Sequence, residues 1–207
     1  IMEQKKWLYS FGRAVCTPLM KVLYRYRFTG RNNLPETGAY IICANHQSFA
    51  DPVLLGIGQK RTIRYMAKEQ LFKHKFLGKL ISMLGAFPVM RESHDNAQAF
   101  ATADSVLESG GVLGIFPEGT RSKTGELLRM RSGAALIAAQ MMVPVVPACI
   151  TAKGGKMKVF NTTKITYGDP ITPEQMGLTE NAQGHQIRAA SRVISDAIAN
   201  IREQDKF

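Results

Sequence analysis

The sequence predicts a single-domain α/β sandwich, with a central largely parallel or mixed sheet flanked by helices and one amphipathic helix ahead of it. Three observations carry this. Short apolar runs alternate with segments of helical periodicity, the pattern of strands joined by crossover helices. A chain of 207 residues, 45% hydrophobic and 21% charged, suits one sizeable core and is short for two domains. Neither an internal repeat nor a low-complexity tract interrupts it.

The first element is a helix. Trp7, Phe11, Val15, Leu19, Val22 and Tyr26 recur at steps of four and three, with Lys6, Arg13, Lys21 and Arg27 toward the other side. Such a stripe suits a helix lying in a membrane interface; a helix docked on the protein's own core carries the same pattern. The apolar stretch is broken by Arg13, Pro18 and Lys21, so it reads as neither a signal peptide nor a span, which needs about 20 apolar residues. Residues 1–28 are therefore expected to form an interfacial helix and 29–207 the main domain. Ile1 precedes Met2, which is no ordinary start and leaves room for residues upstream.

After a loop at Asn32–Gly38, Ala39–Ala44 suits a buried strand, Pro52–Ile57 a short helix and Ile63–Ala67 a second strand. Residues 73–84 have helical spacing. Ala86–Met90 is expected as a third strand, Asp95–Ser109 as a helix, Val112–Phe116 as a fourth strand, Ser132–Met141 as a helix and Val145–Thr151 as a fifth strand. Met157–Phe160 and Ile165–Gly168 are weaker strand candidates. A closing helix over 185–203 places Ile187, Ala190, Ile194, Ala197 and Ile201 on one stripe.

Charge and thiols narrow the setting. The formal charge is +11, and residues 1–91 hold 15 Lys/Arg against 4 Asp/Glu, whereas the remainder holds 12 of each. One cationic face would suit an anionic lipid surface, a phosphorylated substrate, an acidic carrier protein or nucleic acid. No helix-turn-helix, RNA-binding or zinc signature accompanies the charge, which argues against nucleic acid. Cys16, Cys43 and Cys149 make neither a disulfide framework nor a metal site, and the four histidines share no ligand spacing. Free thiols in apolar strands fit a reducing, cytosol-facing compartment.

Two segments carry chemistry, each directly after an apolar strand, where ligands of open α/β sheets bind. In Asn45-His46-Gln47-Ser48-Phe49-Ala50-Asp51-Pro52, Asp51-Pro52 could simply begin a helix. A tight turn could also fold the Asp51 carboxylate onto one imidazole nitrogen of His46, leaving the other free to accept a proton. The chain has no Gly-x-Ser-x-Gly elbow, and Ser48 is too local to complete a triad, so the nucleophile is expected to be a substrate hydroxyl. The second segment is Phe116-Pro117-Glu118-Gly119-Thr120-Arg121-Ser122. Its turn exposes backbone N–H groups, and Arg121 adds a bidentate donor suited to phosphate.

Taken together, His46-x4-Asp51 and Phe116–Ser122 resemble the 1-acylglycerol-3-phosphate O-acyltransferase family. Lys68-Glu69-x-Leu71-Phe72 with Gly85–Arg91 looks like the stretch of its second motif, and Val143–Pro147 looks like its fourth. The resemblance covers roughly residues 30–170, with the blocks in family order. It implies that His46 is the general base on the acceptor hydroxyl and that Asp51 orients it. It implies that Arg91, Glu118, Gly119, Thr120 and Arg121 hold the acceptor's phosphate and glycerol region, and that Val143–Pro147 helps shape the acyl or acceptor site.

Relatives often show Phe-Lys-x-Gly where this chain reads Met130-Arg131-Ser132-Gly133, and Arg is not geometrically equivalent to Lys. The glycerol-3-phosphate acyltransferase branch usually replaces Pro117 and Thr120, so the resemblance favours a lysophosphatidate-type acceptor over glycerol 3-phosphate. The implied donor is an acyl thioester, acyl-CoA or acyl-carrier protein, with no cofactor and no metal. The implied location is the cytoplasmic face of the cell membrane, peripheral or monotopic. Another lysophospholipid or glycerol 3-phosphate as acceptor, or an anionic-lipid-binding module without catalysis, are the alternatives.

Overall fold

The computed structural model describes residues 6–83, 85–89, 97–205 and 207. The strands are β1 (Arg27–Thr29), β2 (Tyr40–Ala44), β3 (Ile63–Lys68), β4 (Phe87–Val89), β5 (Val112–Ile115), β6 (Val145–Ala152) and β7 (Thr163–Tyr167). The helices are α1 (Lys6–Tyr24), α2 (Asp51–Gly58), α3 (Lys75–Met83), α4 (Ala97–Glu108), α5 (Gly133–Met141) and α6 (Gly184–Gln204). They form one seven-stranded sheet in the order β1-β7-β6-β2-β5-β3-β4. β6, β2, β5, β3 and β4 run parallel, while β7 pairs antiparallel with β6 and β1 pairs parallel with β7. The sheet is mixed, with its parallel part in the middle and at one edge.

Period-two alternation sorts the central strands onto two cores. Ile41 and Cys43 of β2 join Leu113, Val145 and Cys149 beneath α4, α5 and α6. Tyr40, Ile42 and Ala44 face the other way, with Val112, Val146 and Ile150 beneath α2. Every residue of β2 is buried, which is why it reads as an unbroken apolar run. Cys43 and Cys149 are buried free thiols, as expected.

Three expectations need correction. Met157–Phe160 is not a strand: Gly154 and Gly155 turn the chain with φ of 78° and 82°, and only Met157 points inward. β1 is a strand that periodicity missed, because three residues starting with an exposed Arg carry too little pattern. On α6 the buried positions are Ala190, Ile194, Ile198 and Ile201, so Ile198 replaces Ala197 in the stripe. A step of four, four and three keeps those residues on one face.

α1 docks in an unusual sense. Its apolar stripe points outward: Trp7 is 66% exposed, Phe11 62% and Val22 65%, with Val15 and Leu19 half-exposed. The inward side carries Cys16, Met20 and Tyr24 against the α2 core. Arg13 donates to the carbonyls of Ile57 (3.3 Å) and Lys60 (3.4 Å) at the end of α2, where helix carbonyls lack partners. Lys21 likewise donates to Tyr26 O at 2.6 Å. Docking of the stripe on the protein's own core is therefore excluded, and Arg13 and Lys21 serve the fold. Tyr26 lies beyond the helix and is buried. Among the described residues no helix is long and apolar enough to cross a membrane.

This arrangement has a thermodynamic signature. Replacing Trp7 and Phe11 together by Ser should shift stability by no more than about 0.5 kcal/mol, as for exposed sites generally. Tyr9→Ala, on the inward side, should cost about 2 kcal/mol or more through the cavity it leaves. Thermal unfolding of both variants distinguishes the two faces.

Candidate active site

β2, β5, β3 and β4 all present their carboxyl ends at one edge of the sheet, and the turns that follow them build the site. Leaving β2, Asn45 keeps the chain tied to β6: its Nδ2 donates to Ile150 O (2.9 Å) and its Oδ1 accepts from Ile150 N (2.7 Å). Gln47 adds a second tie, donating to Ile150 O at 2.9 Å and accepting from Met157 N at 3.1 Å. Between them His46 turns outward.

Asp51 then folds back on this turn. Its Oδ2 accepts from His46 Nδ1 (2.7 Å), Gln47 N (2.6 Å) and Ser48 N (2.8 Å), and the residue is fully buried. α2 starts at Asp51 with Ala50 as its N-cap and no side-chain cap, so the carboxylate serves the turn, not the helix end. An ionised carboxylate only accepts, so Nδ1 carries the proton and Nε2 is left as the basic nitrogen.

The imidazole plane is set by an aromatic stack. Phe116, just after β5, lies parallel to His46 with centroids 4.2 Å apart, and Tyr65 of β3 follows Phe116 at 6.0 Å. Tyr65 Oη donates to Pro52 O at 2.8 Å, closing the stack back on α2. Gly114 makes it possible: a Cβ there would lie 2.4 Å from the Tyr65 ring. Sequence reading missed this stack; three aromatics on three elements leave no linear pattern.

His46 opens onto a cavity of about 450 Å³ with two kinds of wall. Gly119, Thr120, Arg121, Arg131 and Lys68 supply a polar, cationic side. Met66, Leu71, Val89, Phe100, Ala134 and Ile137 supply an apolar side between β3, β4, α4 and α5. The Arg121 guanidinium stacks over the exposed Phe49 ring at 3.7 Å, which holds its plane while leaving N–H edges for a ligand. Gly119 has φ of 69°, and a Cβ there would approach Arg131 Nε to 3.2 Å, so a glycine lets Arg131 lie across the loop. Arg131, the departure from Phe-Lys-x-Gly, thus stands beside Arg121 on the cavity wall.

The expected site residues divide accordingly. His46, Gly119, Thr120 and Arg121 meet at the cavity, with Asp51 behind His46. Arg91 lies outside the described residues. Glu118 is 4% exposed and is absent from the cavity lining, so the structure gives it no direct reach to a ligand there. Burial pushes its carboxyl up to about 7. The backbone N–H groups of Leu128 and His46 offset part of that effect, although neither oxygen reaches normal hydrogen-bonding geometry with a protein donor. Of Val143–Pro147, Val143, Val145 and Val146 are buried in the cores and none lines the cavity.

An imidazole held as proton acceptor beside a cavity with one cationic and one apolar wall is the equipment of an enzyme that activates a hydroxyl on a lipid-like substrate. Residues 25–151 match the family model described as Acyltransferase, and the chain belongs to that acyltransferase family. It is 32% identical over 163 residues to the 1-acyl-sn-glycerol-3-phosphate acyltransferase of Bacillus subtilis (strain 168), covering 75% of this chain and 80% of that one. With the human 1-acyl-sn-glycerol-3-phosphate acyltransferase beta it shares 28% over 155 residues, 70% of this chain and 55% of the relative. The crystal structure of the 1-acyl-sn-glycerophosphate (LPA) acyltransferase PlsC from Thermotoga maritima superposes with a TM-score of 0.71 at 24% identity, covering 97% of this chain and 79% of that one. That likeness shows the same fold.

Glu118 offers a test of its surroundings. Its folded pKa of about 7 lies above the ordinary 4.5, so burial of the charged form costs stability as pH rises. Below about 4.5 both states are protonated and the cost is absent; it accumulates as pH rises and is fully present above about 7. Glu118→Gln, neutral throughout, should therefore gain stability relative to the parent across that window. Parallel denaturant titrations at several pH values measure the difference.

Proposed function

We propose that this protein transfers a fatty acyl group from a thioester to the free hydroxyl of 1-acylglycerol-3-phosphate, giving phosphatidic acid at a membrane surface. The observation that carries the reading is the His46–Asp51 pair opening on a cavity with one cationic and one apolar wall. The names of the relatives support the acceptor. The walls match an acceptor with a phosphate at one end and a hydrocarbon chain at the other. Arg121, with Gly119 and Thr120, receives the phosphate and glycerol region, and Arg131 adds a second cation; the apolar wall takes an acyl chain. Arg91 is assigned to the phosphate by resemblance alone.

In the reaction His46 Nε2 takes the proton of the acceptor hydroxyl as its oxygen attacks the thioester carbon. The C–S bond breaks as the tetrahedral intermediate collapses, the thiolate leaves, and the imidazolium returns the proton to sulfur. Asp51 keeps Nδ1 protonated and stabilises the imidazolium. A thioester is already an activated acyl donor, so the reading assigns no cofactor, no metal and no acyl-enzyme. Acyl-CoA and acyl-carrier protein both supply such a thioester, and side-by-side assays decide between them.

The outward stripe of α1 supports a position on the bilayer, peripheral or monotopic, and the buried free thiols fit its cytoplasmic face. The Trp7/Phe11 double Ser variant, stable by the argument above, should then sediment less with liposomes, since each apolar side chain contributes about 1.5–3 kcal/mol on leaving water.

Removing the base tests the chemistry. His46→Ala should lower kcat by roughly 10²–10⁴-fold, and Asp51→Asn should also cost orders of magnitude by favouring the wrong tautomer. Near-parental turnover by His46→Ala would sink the mechanism.

Arg121→Ala should lower kcat/KM for the lysophosphatidate by about tenfold, equivalent to one charge-assisted hydrogen bond of about 1.5 kcal/mol. Titrating acceptor and donor separately checks this, because a loss confined to the donor would move Arg121 to the donor's phosphates.

A further inference from the structure

The segment 153–162, joining β6 to β7, leaves the sheet at the same edge as the catalytic turn and takes no part in the chemistry above. Lys153, Lys156 and Lys158 on it are exposed, and no Asp or Glu occurs between Glu126 and Asp169. Among the described residues none of these three ammonium groups has an ion-pair partner. Next to them Val159 is 51% exposed and Phe160 62%. Phe160 is also held at φ 63°, in the left-handed region that a residue with a Cβ seldom adopts.

Both ends of this tip are fastened. Phe160 N donates to Leu23 O at 2.5 Å, which sets the tip against the C-terminal part of α1, where Leu19 and Val22 are exposed. Met157 is buried, and its N–H donates to Gln47 Oε1 at 3.1 Å, next to His46 in the chain. Apart from Phe49 at the cavity mouth and Phe207 at the chain end, the large exposed apolar side chains among the described residues lie on α1 or on this tip.

We propose that the 153–162 loop is a second membrane-docking element: Val159 and Phe160 enter the acyl layer beside α1, and Lys153, Lys156 and Lys158 lie at the level of anionic headgroups. The proposal rests on the reading that α1 lies on a bilayer, and it adds a surface the N-terminal helix does not supply. An apolar tip flanked by unpaired lysines matches the depth profile of an anionic bilayer, hydrocarbon below and negative charge above. Continuity with the exposed stripe of α1 favours lipid over a protein partner. Through Met157 and Gln47 the loop also sets the height of the membrane surface relative to His46.

The test uses the whole chain and vesicles of phosphatidylcholine, with or without phosphatidylglycerol, holding neither acceptor nor acyl donor. Its outcome is therefore independent of whether lysophosphatidate is the acceptor. Trp7 is the single tryptophan, so Trp7→Phe combined with Phe160→Trp places one fluorophore on the tip. Its emission should shift to the blue and be quenched by brominated acyl chains on binding. Val159→Ser with Phe160→Ser should weaken partitioning about tenfold or more at an unchanged melting temperature. Lys153→Ala, Lys156→Ala and Lys158→Ala together should remove most of the preference for phosphatidylglycerol and flatten the salt dependence.

Parental binding with an unquenched Phe160→Trp reporter would overturn this proposal alone, a protein-facing tip included. So would undiminished partitioning of the double Ser variant. Failure of the parent to bind either vesicle would remove α1 as an anchor as well, leaving the acyl-transfer reading to its own assay.

Discussion

The site depends on one carboxylate oxygen. Asp51 Oδ2 accepts from the His46 ring and from two consecutive backbone N–H groups, all within 2.8 Å. A buried carboxylate is costly without partners, and here the partners are the turn itself. The same contact therefore closes the turn, fixes where α2 begins and selects the imidazole tautomer. A disturbance of any of the three reaches the other two. The spacing of four residues between His46 and Asp51 is what lets one oxygen reach all three donors.

The rest of the edge is arranged around that oxygen. The turn after β2 contributes the histidine, the residue after β5 the ring stacked on it and β3 the ring beyond, so three parallel strands build one stack. The two arginines approach from the loop after β5 and from the segment leading into α5. His46 shares its cavity with both cationic and apolar side chains. A substrate with a charged end and an oily end is thereby oriented before any bond changes.

Much of this was legible in the sequence, for identifiable reasons. β2, β5 and β6 announced themselves because strands buried on both faces lack polar interruptions. His46 and Asp51 were legible because both fall within one turn. Arg131 was legible as a departure from Phe-Lys-x-Gly, but its course across the Gly119 loop was not. β1 was invisible because three residues paired with a strand more than a hundred positions away carry no local signal. Glu118 is set apart from the other expected residues because its motif neighbours line the cavity while its own side chain is buried away from it, a difference that a linear motif does not carry. The division of charge by halves is blind to position: the lysines of 153–162 belong to the neutral half by count, yet Phe160 of the same segment is hydrogen-bonded to Leu23 of α1.

Asn45 shows how narrow the tolerance at this edge is. Its side-chain amide donates to the Ile150 carbonyl and accepts from the Ile150 N–H, so it stands in for the backbone of β2 while the real backbone has already turned toward the site. A peptide group can be replaced this way only by a side chain that carries one. Aspartate has the shape but no hydrogen to give, leucine has the volume but neither group, and glutamine overshoots by a methylene. The position is thus constrained by grammar as much as by size: the strand ends one residue early in covalent terms and on time in hydrogen-bonding terms, and that mismatch frees His46 to face the cavity.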